Sequence, residues 1–356
     1  MDWQPKPQVP KSFLQKFPEF NNLILNLLWE RNIQTQEAID EFFNPDYETD
    51  LHDPFLMSGM AKAVKRIVRA ILNQEKVAIF GDYDVDGISG SAILATLFKK
   101  AGTHYKVYIP DRAKEGYGLN MDAITKFAET DVKLIITIDL GITAVTEVAQ
   151  AEVNGMDVII TDHHISPEVL PRAYAILNPK TDHYPEKMLC GAGVVFKLVQ
   201  GFIKKYGEFY KISEGSEKWM LDMAGLATLS DMVPLTGENR AIAYFGMKVL
   251  RKSPRPGLQK LLAKMNLDQR HLTEDDVGFM VTPRLNAASR MDDPMRAYEL
   301  LATEDEREAG ILADHLSNIN DDRKTIVTGI MREINKQLNK KFENETSRKR
   351  IICKEI

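Results

Sequence analysis

A chain of 356 residues, 44% hydrophobic and 27% charged, is too long for one simple domain and suggests two, or one large domain with a helical appendage. No apolar run approaches the roughly 20 residues that span a bilayer, and Met1-Asp2-Trp3-Gln4-Pro5 lacks the basic and apolar opening of a signal peptide. The net charge of −5 argues at first against a nucleic-acid partner, whose phosphates call for Lys and Arg.

Residues 1–60 read as helical and irregular, with apolar clusters at Leu23-Ile24-Leu25 and Leu27-Leu28-Trp29 and a break at Asn44-Pro45. Leu51-His52-Asp53-Pro54-Phe55 leads to a helix near 60–73. From Lys76 the texture changes to short apolar runs: Val77–Phe80, Val107–Ile109, Leu134–Ile138, Val158–Thr161 and Ala173–Leu177, with a helix near 89–101 after the first. Short apolar strands alternating with helices predict βαβ units, a mainly parallel sheet and a doubly wound α/β domain. After about residue 190 only helical patterns follow, at 191–206, 216–229, 238–251, 256–265, 273–282 and 295–302. A long charged helix then runs over about 304–341. Cys190 and Cys353 supply neither a disulfide framework nor a zinc spacing, so a reducing cytoplasm is expected.

Three strands end in groups that hold cations. The first runs into Gly81-Asp82-Tyr83-Asp84-Val85-Asp86-Gly87, the third ends at Asp139 and the fourth at Asp162-His163-His164. Ligands of an open parallel sheet bind beyond the carboxyl ends of its strands, so these groups converge if the strands are neighbours. Asp231 is a further candidate. Clustered carboxylates repel and raise each other's pKa, and divalent cations reverse that interaction. Mixed Asp/His ligation suits Mn²⁺ and similar ions. Two ions about 4 Å apart can activate a water and stabilise both oxygens of an in-line phosphoryl displacement. Bound cations would also weaken the charge objection, as does the segment 321–356, with ten Lys/Arg against six Asp/Glu, net +4.

Each piece has a plainer reading. Asp82/Asp84/Asp86/Gly87 matches half of a calcium loop, but the twelfth position is Ile93 and a strand precedes it. Asp139 alone reads as a helix N-cap. A nucleotide-dependent oxidoreductase would need a glycine-rich turn where Asp82-Tyr83-Asp84 stands. The joint appearance of these groups at successive strand ends favours a metal centre. His52, His104, His183, His271 and His315 are read as structural.

In order, Gly81–Gly87, Asp139-x-Gly141, Asp162-His163-His164 and Asp231 resemble the four motifs of the DHH phosphoesterases. Leu51–Phe55, Gly116-Tyr117-Gly118-Leu119, Asn178-Pro179, Gly191–Val194, Ala227–Leu235 and Pro283–Met291 are similar to the family's branch of single-stranded-DNA exonucleases. The resemblance implies a hydrolase with two Mn²⁺ ions, or Mg²⁺, that removes nucleotides from the 5′ end of single-stranded DNA in repair and recombination. Asp84 and Asp86 would be ligands, with Asp82 a further ligand or a supporting group. Asp139 would bridge both ions, and His163 and Asp231 would complete the second. His164 would face the scissile phosphate. Arg284, Asn286 and Arg290 would hold phosphates, with a plain helix-end cluster as the alternative, and Arg290 would also offset transition-state charge.

The resemblance divides the chain into an N-terminal helical segment (1–60), an α/β metal-binding core (61–232), a helical region (233–303), a connector helix (304–350) and the start of a DHH-associated domain (351–356). Two departures stand out: Ser289 occupies a position usually held by Gly, and at most Ile351-Ile352-Cys353 belongs to the second domain. A separate chain supplying that domain is therefore one expectation, and weakened processivity another. The competing readings are a DHH phosphodiesterase for oligoribonucleotides or cyclic dinucleotides, and a non-catalytic DNA-binding remnant.

Overall fold

The computed structural model describes residues 9–181 and 183–342. Three short helices open it: α1 (Lys11–Lys16), α2 (Asn22–Glu30) and α3 (Gln36–Phe43). The Asn21 and Thr35 side chains accept amides at the starts of α2 and α3, supplying partners the helices lack. Phe13, Phe17, Leu25, Leu28 and Ile39 form a small core between them.

The α/β unit follows as α4 (Met60–Leu72), β1 (Lys76–Gly81), α5 (Val85–Ala101), β2 (Tyr105–Tyr108), α6 (Met121–Glu129), β3 (Val132–Ile138), α7 (Val145–Val153), β4 (Asp157–Thr161) and β5 (Ala175–Leu177). All strand pairs are parallel, in the order β2-β1-β3-β4-β5. Side chains alternate faces along a strand. Val77, Ile79, Leu134 and Ile136 accordingly pack on the face that buries Ile67, Leu94 and Val195. Ala78, Phe80, Ile135 and Ile160 meet Ile124, Phe127 and Val148 on the other. This is the expected doubly wound arrangement. The chain leaves β1 toward β2 on one side, and β3 lies on the other, so the crevice sits at the carboxyl ends of β1, β3 and β4.

The helical region holds α8 (Gly191–Tyr206), α9 (Leu221–Ser230), α10 (Gly237–Leu250), α11 (Pro256–Lys264), α12 (Glu274–Asp276), α13 (Thr282–Met291), α14 (Met295–Ala302) and α15 (Glu306–Phe342). Two boundaries differ from the sequence reading. The helix expected near 273–282 is a short turn and a π-helical stretch, Val277–Val281, that leads into α13. Thr282-Pro283 opens α13, where proline's missing N–H costs nothing. The helix expected over 216–229 begins as a 3₁₀ turn, Ser216–Met220, before α9. The expected strand at 351–353 and the last part of the connector lie outside the described residues.

A buried ion pair bolts the Leu51–Phe55 segment to the helices. Lys197 Nζ lies 2.8 Å from Glu238 Oε1, and both side chains are fully buried. Lys197 also donates to the His52 carbonyl, the Tyr184 hydroxyl to Glu238 Oε2, and the His52 amide to Glu238 Oε1. Burial pulls the Lys197 pKa down, against the pull of Glu238.

Candidate metal centre

The first acidic run turns directly from strand to helix. The expected helix start near 89 is too late: α5 begins at Val85, and Asp84 is its N-cap, accepting the Asp86 and Gly87 amides with Oδ1. Gly87 permits this tight turn, because a Cβ there would stand 2.5 Å from the Asp82 backbone nitrogen. Asp86 therefore projects from the first turn of α5. Its carboxylate reaches the first turn of α8, accepting the Gly191 amide at 2.6 Å and the Ala192 amide at 2.7 Å.

Asp139 follows β3 with φ of 61°, an uncommon left-handed backbone for a side-chain-bearing residue. Gly191 passes so close that a Cβ on it would lie 2.5 Å from Asp139 Cβ. His163 follows β4, and Asp231 ends α9 at its C-cap. His163 Nε2 faces Asp139 Oδ1 at 3.1 Å, and Asp86 Oδ2 and Asp231 Oδ2 at 3.8 Å each. The groups expected to converge do so.

They form overlapping sets. Ligand atoms of Asp82, Asp84 and Asp139 lie within 4.8 Å of one another, as do those of Asp86, His163 and Asp231, and those of Asp139, His163 and His164. Asp139 thus belongs with the first set and, through His163, with the second.

Whether these residues suit cations can be judged from what the protein leaves undone. Asp82 Oδ1 and Asp139 Oδ1 are buried and accept no hydrogen bond. A buried, unpartnered carboxylate oxygen is costly. Burial, reinforced by Asp84, pushes the Asp82 carboxyl up to about 7. Burial followed by Asp86, Asp84 and Asp82 raises Asp139 well above the carboxylate range. Burial likewise raises Asp84, Asp86 and Asp231, the last to about 6. Metal–ligand bonds of roughly 2.0–2.2 Å give ligand–ligand edges of about 3.0–3.5 Å, near the 3.1 and 3.8 Å found around His163. The donor set fits divalent cations of the Mn²⁺ or Mg²⁺ kind.

Asp162 has the opposite fate to Asp82. Its Oδ1 accepts the His163 and His164 amides and His164 Nδ1 at 2.8 Å, and Oδ2 accepts the Ile142 amide. These bonds outweigh burial and hold its pKa low. The bond to Asp162 raises the pKa of His164. Asp162 thereby also orients the partly exposed His164 ring beside the carboxylates.

Sequence reasoning did not single out Asp162, Tyr117, Tyr83 or Arg112 for these positions. The Tyr117 hydroxyl donates to the Asp139 carbonyl at 3.3 Å and lies 3.4 Å from His164 Nδ1. Its ring stands edge-on to Tyr83, over which the Arg112 guanidinium sits at 5.3 Å. Gly116-Tyr117 and Gly81-Asp82-Tyr83 were visible as motifs, but the meeting of their rings was not. Of the expected phosphate contacts, Arg290 is exposed. Arg284 is buried, donates Nη1 to the Met280 carbonyl and leaves Nε unpartnered. Asn286 Oδ1 accepts the Val85 amide, which ties α13 to the start of α5. Ser289 donates to the Asn286 carbonyl within the helix.

Comparisons with known proteins identify the family to which this fold belongs. Residues 76–229 match the DHH family, N-terminal domain. The chain is 40% identical over 86% of its length to the single-stranded-DNA-specific exonuclease RecJ of Bacillus subtilis, covering 38% of that protein. It is 35% identical over 78% of its length to RecJ of Escherichia coli, covering 50%. It thus spans about half or less of these curated relatives, whose remaining length continues in the same chain, so a separate chain for the second domain finds no support. A crystal structure of RecJ from Thermus thermophilus in complex with Mn²⁺ superposes with a TM-score of 0.77 at 27% identity, over 91% of this chain and 46% of that one. A crystal structure of exonuclease RecJ bound to manganese gives 0.72 at 30% identity, over 78% of this chain and 70% of that one. No helix among the described residues is long and apolar enough to cross a membrane. With its acidic rim in the family's order and these relatives on both sequence and structure, the chain belongs to the DHH family, on the RecJ branch.

Proposed function

We propose that the chain is a divalent-metal phosphodiesterase that removes nucleotides from the 5′ end of single-stranded DNA in repair and recombination, in the cytoplasm. The observation that carries this is the pair of ligand sets, Asp82/Asp84/Asp139 and Asp86/His163/Asp231, joined where Asp139 faces His163 at 3.1 Å. Two Mn²⁺ or Mg²⁺ ions held there would supply Lewis acidity and a nucleophilic water at neutral pH. Asp84, Asp86, Asp139, His163 and Asp231 would hold them, with Asp82 beside these ligands and Asp139 shared between the two groups of residues.

The remaining steps belong to the chain's own side chains. His164, aimed by Asp162 and raised in pKa by it, donates a hydrogen bond to a non-bridging phosphate oxygen and offsets charge as it builds. Tyr117 holds the Asp139 backbone and lies beside that imidazole. Arg290 grips strand phosphates, where the fork of a guanidinium suits bidentate contact. Asn286 keeps its Nδ2 donors for the same purpose, whereas the expected contact from Arg284 is not carried forward, since its Nε is buried. The rings of Tyr83 and Tyr117 offer stacking that any base can use, consistent with a sequence-independent substrate.

The test is incubation of the purified chain with Mn²⁺ and 5′- or 3′-labelled single-stranded DNA, beside a cyclic dinucleotide and an Asp231→Ala control. Mononucleotide release from the 5′ end, absent in the control, is the expected result. Cleavage of the cyclic dinucleotide alone would move the assignment to small-substrate phosphodiesterases, and silence on both substrates would overturn it.

A further inference from the structure

A second cleft, of about 410 Å³, opens beside the C-terminal half of α5. At 1.5 Å per residue, Lys99 on its wall lies about 20 Å along the helix from Asp86. The metal centre does not reach it. Aromatic rings of Tyr105, Trp219 and Tyr298 line it, with cations from Lys99, Lys100 and Arg255.

Three features of the lining point to a ligand. The first is a half-exposed aromatic surface: Trp219 is 52% exposed, with Lys252 Nζ 5.5 Å over its ring. The second is surplus positive charge. Of the two acids in the wall, Asp222 is taken by Ser253 and Arg255, at 2.7 and 2.9 Å, and Glu304 by Lys99 at 2.5 Å. Of the three cations in the wall, Lys100 remains exposed beyond these pairs. The third is the presence of hydroxyl-bearing residues, Ser216, Tyr105 and Tyr298, in the lining. Ser216 Oγ is buried with no hydrogen-bond partner.

A stacking ring, one surplus lysine and hydroxyl-bearing residues in a space this size suit one small ligand with a flat apolar part and an anionic part. The volume holds a single nucleotide unit and not a strand. We propose that this cleft is a second ligand site, for a nucleoside monophosphate, separate from the metal centre. The base would stack on Trp219 and the phosphate would lie between Lys100 and Ser216.

Calorimetric titration of the full chain with dAMP in EDTA tests this without contribution from bound metal. Saturable one-to-one binding is expected, weakened about tenfold by Trp219→Ala and also by Lys100→Glu, with adenosine binding more weakly than dAMP. Both substituted side chains are exposed, and circular dichroism checks that the fold is kept. Absence of saturable binding overturns the proposal. So does binding that neither substitution changes, which would place the nucleotide elsewhere, or adenosine binding as tightly as dAMP, which would remove the anion from the assignment. The readout needs no nuclease activity, so failure here leaves the hydrolase reading standing.

Discussion

The Gly191 amide donates to Asp86 Oδ2 at 2.6 Å, joining the first turn of α8 to the first turn of α5 through a carboxylate of the metal centre. The positive end of α8 thereby steadies an anion that burial alone would neutralise. The same glycine leaves no room beside Asp139, 2.5 Å from where its Cβ would be. Gly191→Ala should therefore lower Mn²⁺ affinity at least about tenfold, since a shift of that size in a coordination shell matches the loss of a supporting group. Calorimetry with Mn²⁺ checks it, with thermal unfolding to show that the fold survives. Unchanged affinity would mean that Asp139 moves freely.

Asp139→Ala should abolish Mn²⁺ binding at both positions, because no other carboxylate stands in the first set while also facing His163. Two ions still bound to that variant, counted by calorimetry, would refute the bridging assignment.

Stability of the metal-free protein should fall as pH rises from about 5 to 7.5. Asp82 is raised to about 7 and Asp231 to about 6 from an ordinary 3.8. Between those values the folded state holds more protons than the unfolded one, so unfolding free energy declines with pH. His164, also raised, adds a loss in the same direction as pH passes its folded pKa. Asp162, held low, keeps its contribution throughout this window. Saturating Mn²⁺ should reverse the trend, because ligation requires the ionised carboxylates. Thermal melts at both pH values, in EDTA and in Mn²⁺, decide it; a metal-free protein that gains stability toward pH 7.5 would contradict the shifts.

Asp162→Asn should lower the pKa of His164 and reduce turnover more than substrate affinity. The carboxylate is the first cause of the raised imidazole and also fixes its ring. An NMR titration of His164 reports the first effect independently of activity, and an unmoved pKa would exclude the positioning role.

Lys197→Met should destabilise the protein by about 3–5 kcal/mol, since it strands the buried Glu238 carboxylate. Urea unfolding measures this. A loss under about 1 kcal/mol would show that Glu238 finds another proton or partner.

The parallel sheet and its rim could be read from the sequence, because parallel βαβ units send every strand end to one edge. That the strands ending near Asp82, Asp139 and Asp162 are neighbours was decided by the fold, which orders them β1-β3-β4. The long helix, too, was legible from its charge pattern, as Glu306–Phe342 shows. Other features were not. Gly87, after a run of aspartates, is a poor helix former, and the expected start of α5 falls after it at about 89; Ser89 and Gly90 are poor formers too. Packing overrides them: a Cβ at Gly90 would stand 2.6 Å from Ile138 Cγ2, so the small residues are there to let α5 approach the sheet.

Residue type also could not separate Asp82 from Asp162. Both are buried aspartates just beyond strand ends. One keeps an unpartnered oxygen and a pKa near 7, while the other commits both oxygens to amides and an imidazole and stays ionised. Which acids and histidines gather at the sheet edge follows from the order of residues along the chain. Which of those groups stay open to a cation is settled by packing, because it depends on the backbone amides that the neighbouring loops and the start of α8 bring within hydrogen-bonding distance.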